Sequence, residues 1–225
     1  MSAHHDPRHL PDGDGARWFG VYPALVSDLV DPDRRGRIQV SFPSFGQAGE
    51  TVRAWATLVT PYADDGQGLE ILPEVGSQVV VAFEAGDPSR PYIVGACWNG
   101  KRALPEAAQS ANNLRTLKTR SGSLLQFDDT EGAAKVTVSM QSGHRLVLDD
   151  ASQELTVQHS NGCKIVMNIA GQITITANAT VEVNASAVNL HAPTVTCDGL
   201  LQCQTLIAST GVVSPSYTPG AGNVW

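Results

Sequence analysis

The sequence predicts an all-β protein in two parts, a small closed barrel of about five short strands followed by an intertwined trimeric β-helix. Three observations predict it. Only 16% of the 225 residues are charged and 21 are glycine, which favours turn-rich strands over helices with Lys- and Glu-covered faces. Ten of the 13 Phe, Trp and Tyr residues fall between Trp18 and Trp98, so a conventional core belongs to the first half alone. From Ile165 to Trp225 the only charges are Glu182 and Asp198, while residues 169–187 alternate small apolar with polar side chains at the period of a strand.

Residues 1–17 read as a leader without function; His4, His5 and His9 lie among Asp, Pro and Gly and form no metal motif. The first twenty residues lack the basic, apolar and small-residue order of a signal peptide, and no apolar run approaches the roughly 18 residues of a membrane span. Cys97, Cys163, Cys197 and Cys203 have no CxxC spacing, so they are expected as free thiols of a chain made in a cytosol.

The barrel is expected over 18–100. Its strands are short apolar runs such as Gly36-Arg-Ile-Gln-Val-Ser-Phe42, Arg53-Ala-Trp-Ala-Thr-Leu-Val59 and Ser77-Gln-Val-Val-Val-Ala-Phe83, separated by turn clusters such as Asp31-Pro-Asp-Arg-Arg-Gly36. Residues 101–115, rich in Ala and polar side chains with Pro105, read as a linker. After Thr116 the chain repeats: Ser121-Gly-Ser-Leu-Leu-Gln-Phe-Asp-Asp129 recurs as Ser142-Gly-His-Arg-Leu-Val-Leu-Asp-Asp150 and, more loosely, as Asn161-Gly-Cys-Lys-Ile-Val-Met-Asn168. The glycines stand 21 and then 19 residues apart, the mark of stacked β units that cannot bury an apolar face singly.

The shaft is expected over 116–208, its apolar phase carried by Ile169, Gly171, Ile173, Ile175 and their successors to Ala187, with Thr and Asn on the other phase. A flat monomeric sheet of this kind would leave long uncharged edges, and winding several chains round one axis removes them. Residues 209–225 break the alternation, since Pro215 and Pro219 lack ladder donors, and are expected to terminate the shaft.

The chain resembles the phage baseplate assembly protein V family, relatives of the type VI secretion spike protein VgrG, over about residues 18 to 190. The barrel residues that carry this are Gly20-Val21, Gly36-Arg37-Ile38 with Val40, Phe42-Pro43, Trp55-Ala56, Leu72-Pro73-Glu74-Val75-Gly76, Val79 to Phe83, Gly86-Asp87-Pro88 and Arg90-Pro91 leading to Gly95. The Ser-Gly…Phe-Asp-Asp pattern at the shaft entry adds to it. The resemblance implies an OB-fold collar on a triple-stranded β-helix. It further implies a structural spike that pierces a cell envelope, made in the bacterial host cytoplasm and carried at the tail-tip baseplate of a virion or related particle. The partners implied are two further copies of the chain, the baseplate hub protein, the target membrane in transit and, at the blunt end, a PAAR-type tip protein.

No catalytic residue is expected. Adjacent residues on a strand face opposite ways, so Asp128-Asp129 and Asp149-Asp150 form no acid–base dyad and read as turn closers. No Gly-x-Ser-x-Gly elbow, P-loop or His-Glu-x-x-His occurs. Related short spikes hold an axial metal through a His-x-His pair, where this chain has Asn189-Leu-His191. His191, the axial candidate, shares the polar phase with Asn189 and is expected to point outward, so no metal and no cofactor is assigned. Two rival functions are weighed. A nucleic-acid-binding barrel is opposed by the net charge of −7 and by five arginines and no lysine against ten acids from Trp18 to Gly100. A trimeric glycan-degrading fibre would need paired carboxylates and aromatics that the shaft lacks.

Overall fold

The computed structural model describes residues 17–45 and 51–215. The leader histidines His4, His5 and His9, and most of the 209–225 ending, lie outside the described residues. Strand β1 spans Val21–Asp28, β2 Arg37–Ser41 and β3 Arg53–Leu58; the two-residue strands β4, Ala63–Asp64, and β5, Gln67–Gly68, form a hairpin; β6 spans Gln78–Phe83 and β7 Pro91–Ala96.

The barrel closes in the order β1-β2-β3-β7-β6, with every neighbouring pair antiparallel except β3 and β7. That circuit is the OB arrangement expected from the sequence. Alternation places Ala24, Val26, Ile38, Val40, Ala56, Val79, Val81 and Ile93 inside, each at most 2% exposed. One end is plugged by aromatics, with Trp18 edge-on to Phe45 at 4.8 Å and to Phe83 at 4.9 Å. Because Ile38 is 1% exposed, Ile38→Ala should lower barrel stability by about 2–5 kcal/mol, read as the denaturant midpoint of tryptophan fluorescence.

The β1–β2 connection is held by one carboxylate. Asp31 accepts the backbone N–H groups of Asp33 and Arg35 at 3.0 Å and of Arg37 at 3.3 Å, while the Arg37 guanidinium grips both its oxygens at 2.9 Å. The Arg37 hydrogen bonds hold the Asp31 carboxyl well below the usual carboxylate range, and the backbone donors add to this. A depressed folded-state value means that this stabilisation is complete above the ordinary aspartate pKa of about 3.9 and drains away as the pH falls towards the folded-state value. The barrel melting temperature should therefore fall below about pH 4, whereas Asp31→Asn should melt several degrees lower at pH 7 and lose that acid limb.

Beyond the barrel the repeat folds as one antiparallel meander. Strands β8 Leu114–Lys118, β9 Leu124–Asp128, β10 Lys135–Ser139, β11 Arg145–Asp149, β12 Glu154–Gln158, β13 Lys164–Met167 and β14 Ile173–Thr176 form a seven-stranded sheet in chain order. The sheet begins at Leu114, two residues before the expected shaft boundary, because Leu114 already pairs with Asp128.

Each repeat glycine closes the same turn. Thr119 donates to the Ser123 carbonyl while Gly122 donates back to Thr119, and the pattern recurs at Met140/His144 with Gly143 and at His159/Cys163 with Gly162. These three-residue turns place their glycines at φ of +82°, +96° and +95°, where a side chain is strained. A fourth such turn, Asn168 to Gln172 with Gly171 at φ +73°, interrupts the run read from sequence as continuous alternation from Ile169. Only Ile173–Thr176 of that run forms a strand.

Each strand from β8 to β14 pairs with its sequence neighbour in the same chain. The chain divides after Asn178, and the described residues beyond it, 179–215, contain no strand and are exposed throughout.

Candidate functional site

The registers of the meander sort its side chains into two faces. Residues directly opposite in an antiparallel pair share a face, so one row runs Arg115, Phe127, Val136, Leu148, Leu155, Met167 and Ile173. A second row on the same face runs Leu117, Leu125, Val138, Leu146, Val157, Ile165 and Ile175. Arg115 is the one polar member of fourteen.

The opposite face carries Thr116, Gln126, Thr137, Val147, Thr156, Val166 and Thr174 along its middle and most of the sheet's charges along its margins. There Lys135 stands between Asp128 and Asp149, with its Nζ 2.7 Å from Asp149. The Lys135 contact holds the Asp149 carboxyl below its ordinary value. This is the more polar face, and its middle row is half-buried from Thr116 to Val166.

Nothing among the described residues covers the apolar face. Nine of its thirteen apolar side chains are exposed, among them Phe127 at 45%, Leu148 at 43% and Ile173 at 62%. Among the described residues none beyond Ile93 is buried, so the sheet has no core of its own. A continuous apolar face spanning seven strands far exceeds the scattered surface hydrophobics of ordinary monomers and marks a contact surface.

The candidate chemistry is placed as follows. Asp128 accepts the Thr130 N–H at 3.0 Å and its hydroxyl at 2.6 Å, and Asp149 accepts the N–H groups of Ala151 and Ser152, so both close turns as expected. Asp129 and Asp150 donate backbone N–H bonds to Asn113 and Ala134, tying the turns to the neighbouring strand. His191 is exposed, and among the described residues no three His, Cys, Asp or Glu side chains converge as a metal set.

Sequence reasoning missed one feature. His144 and His159 meet in a tilted ring contact, 4.2 Å between centroids and 57° between planes, on a groove with Met140, Val138 and Val157. Their Nδ1 atoms accept the N–H groups of Ser160 and Asn161, so those lone pairs are already engaged. Only the near-periodic turns hinted at it, by placing His144 next to Gly143 and His159 three residues before Gly162.

A closed OB-like barrel continuing into a repeat sheet with one exposed apolar face defines a class, a β subunit with a large contact surface. Residues 22–98, the barrel, match the family of the type VI secretion system/phage-baseplate injector OB domain. The chain is similar to the type VI secretion system spike protein VgrG1a of Pseudomonas aeruginosa, 28% identical over 138 residues covering 56% of this chain and 21% of that protein. It is also similar to VgrG4b of the same organism, 28% identical over 137 residues, 56% of this chain and 17% of that protein. VgrG3 of Vibrio cholerae is 25% identical over 131 residues, 52% of this chain and 13% of that protein. The chain thus spans about a fifth or less of the length of these relatives. A match over 56% of the chain cannot be contained in residues 1–98, so the similarity reaches beyond the barrel.

Proposed function

We propose that this chain is the central spike of a contractile injection machine, a homotrimer whose barrel is the collar and whose 114–208 region is the shaft that pierces the target envelope. The observation that carries the reading is the uncovered apolar face joined to a barrel that matches the injector family. Three such faces packed together leave the charged Thr-rich faces in water and bury the apolar rows, and residues 177–208 supply the intertwined section by pairing with other chains. The role is mechanical and non-enzymatic, without cofactor or axial metal, and the collar docks on the baseplate hub at the tail tip. A PAAR-type tip protein caps the blunt end; deletion of residues 209–225 should then abolish its co-purification.

The test is the oligomeric mass by light scattering. Three times 23.8 kDa, persisting in detergent, supports the reading, and a monomer overturns it. The nucleic-acid alternative is checked by filter binding at low salt, where no salt-sensitive retention is expected.

A further inference from the structure

The connection between β3 and β6 is an ordered flap. Leu69 donates its N–H to the Tyr62 carbonyl at 2.9 Å, the Thr60 hydroxyl donates to the Leu69 carbonyl at 2.7 Å, and the β4–β5 hairpin closes the tip. The flap nevertheless exposes Tyr62, Leu69, Ile71, Leu72 and Val75, each between 44% and 56%. It is also one-signed: Asp64, Asp65, Glu70 and Glu74 lie on it, and no basic residue occurs between Arg53 and Arg90. An apolar and acidic surface held in a fixed shape fits a partner that offers cations beside apolar groups.

The chain itself carries such a surface. The neck and shaft entry hold Lys101, Arg102, Lys118 and Arg120, with Glu106 the one acid between Lys101 and Arg120. Two of these cations already bind the flap root within the chain: Arg120 pairs with Glu74 at 3.1 Å and Arg102 donates to the Gly76 carbonyl at 3.1 Å. Lys101 and Lys118 have no ion pair among the described residues, and Lys118 projects from the polar face of the sheet together with Ser139 and Arg145. The flap root therefore sits on the shaft side of the barrel, where the nearest foreign surface around the shaft is another copy.

We propose that the flap of each copy clasps the neck of its neighbour, with Asp64, Asp65 and Glu70 facing Lys101 and Lys118 of the next chain and the exposed apolar side chains packed between them. This inference rests on the homotrimer reading. The flap locks the collars into a ring by contacts separate from those of the apolar sheet face.

Carbodiimide, which joins a carboxylate to a lysine only in direct contact, tests this on the full chain. The expected result is linked bands at two and three times 23.8 kDa on denaturing gels of boiled samples, with mass spectrometry placing the links between Asp64, Asp65 or Glu70 and Lys101 or Lys118. The triple variant Asp64→Asn, Asp65→Asn, Glu70→Gln should keep the trimeric mass and lose those links. A trimer whose flap links stay within one chain, or that forms none, overturns the clasp and leaves the trimer standing. A monomeric mass overturns the trimer itself, and the clasp with it.

Discussion

Leu148→Asp should leave the barrel folded and abolish the trimer. Leu148 lies on β11, the central strand of the meander, and points from its apolar face at 43% exposure in the single chain. A carboxylate there reaches water in a monomer and costs the isolated fold little. In the assembled shaft it would be enclosed by the other two faces, in three copies, with no cation on the face but Arg115 at its far edge. Removing a charge from water without a partner costs several kcal/mol per ion, so three copies cost on the order of 10 kcal/mol. Each 1.4 kcal/mol is a factor of about ten in the association constant, so the shift amounts to about seven powers of ten. Light scattering should report a single chain, while tryptophan fluorescence, dominated by Trp18, Trp55 and Trp98 of the barrel region, should show the wild-type melt. Thr156→Asp, on the polar face of the adjacent strand, should keep the trimer. Loss of the trimer in both variants would show that the sheet fails as a whole and that its apolar face is not the contact.

The barrel could be read from sequence because its own residues suffice to form it. Each of the runs around Ile38, Trp55 and Val81 alternates, and each became a strand whose inward residues meet others of the same chain. The turn glycines of the repeat were equally visible, since Gly122, Gly143 and Gly162 occupy a backbone region that other residues avoid. The Asn168 to Gln172 turn was hidden because Ile169 and Gly171 happen to fall in phase with Ile173 and Ile175. An αL glycine three residues after Asn168 was the available signal. The flap was also missed: its two strands are two residues each, too short for a period to register. Period two reports which face a residue takes and says nothing about which chain supplies the neighbouring strand. For β8 to β14 the neighbour is the same chain. After Thr176 the same alternation produces no strand in a single chain, because a strand exists only through its hydrogen-bonded partner.

That distinction carries the second large effect. A chain ended after Asn178 should still associate through the meander face yet lose its resistance to detergent. The deleted unit, residues 179–225, has no strand among its described residues and carries only Glu182 and Asp198 as charges. Its alternating Val181, Val183, Ala185 and Ala187 are small enough for three chains to approach one axis, and in the proposed trimer its backbone groups would gain their ladder from the other two chains. Apolar packing between meander faces is the kind of contact that detergent competes for directly. A ladder of backbone bonds among wound chains cannot be peeled away one residue at a time, since release needs the chains to unwind along their length. The full chain should therefore run as a trimer in dodecyl sulfate without heating and as a monomer after boiling, whereas the shortened chain should run as a monomer in both. If the shortened trimer survives detergent unheated, the lock lies in the meander, and residues 177–208 do not intertwine the chains.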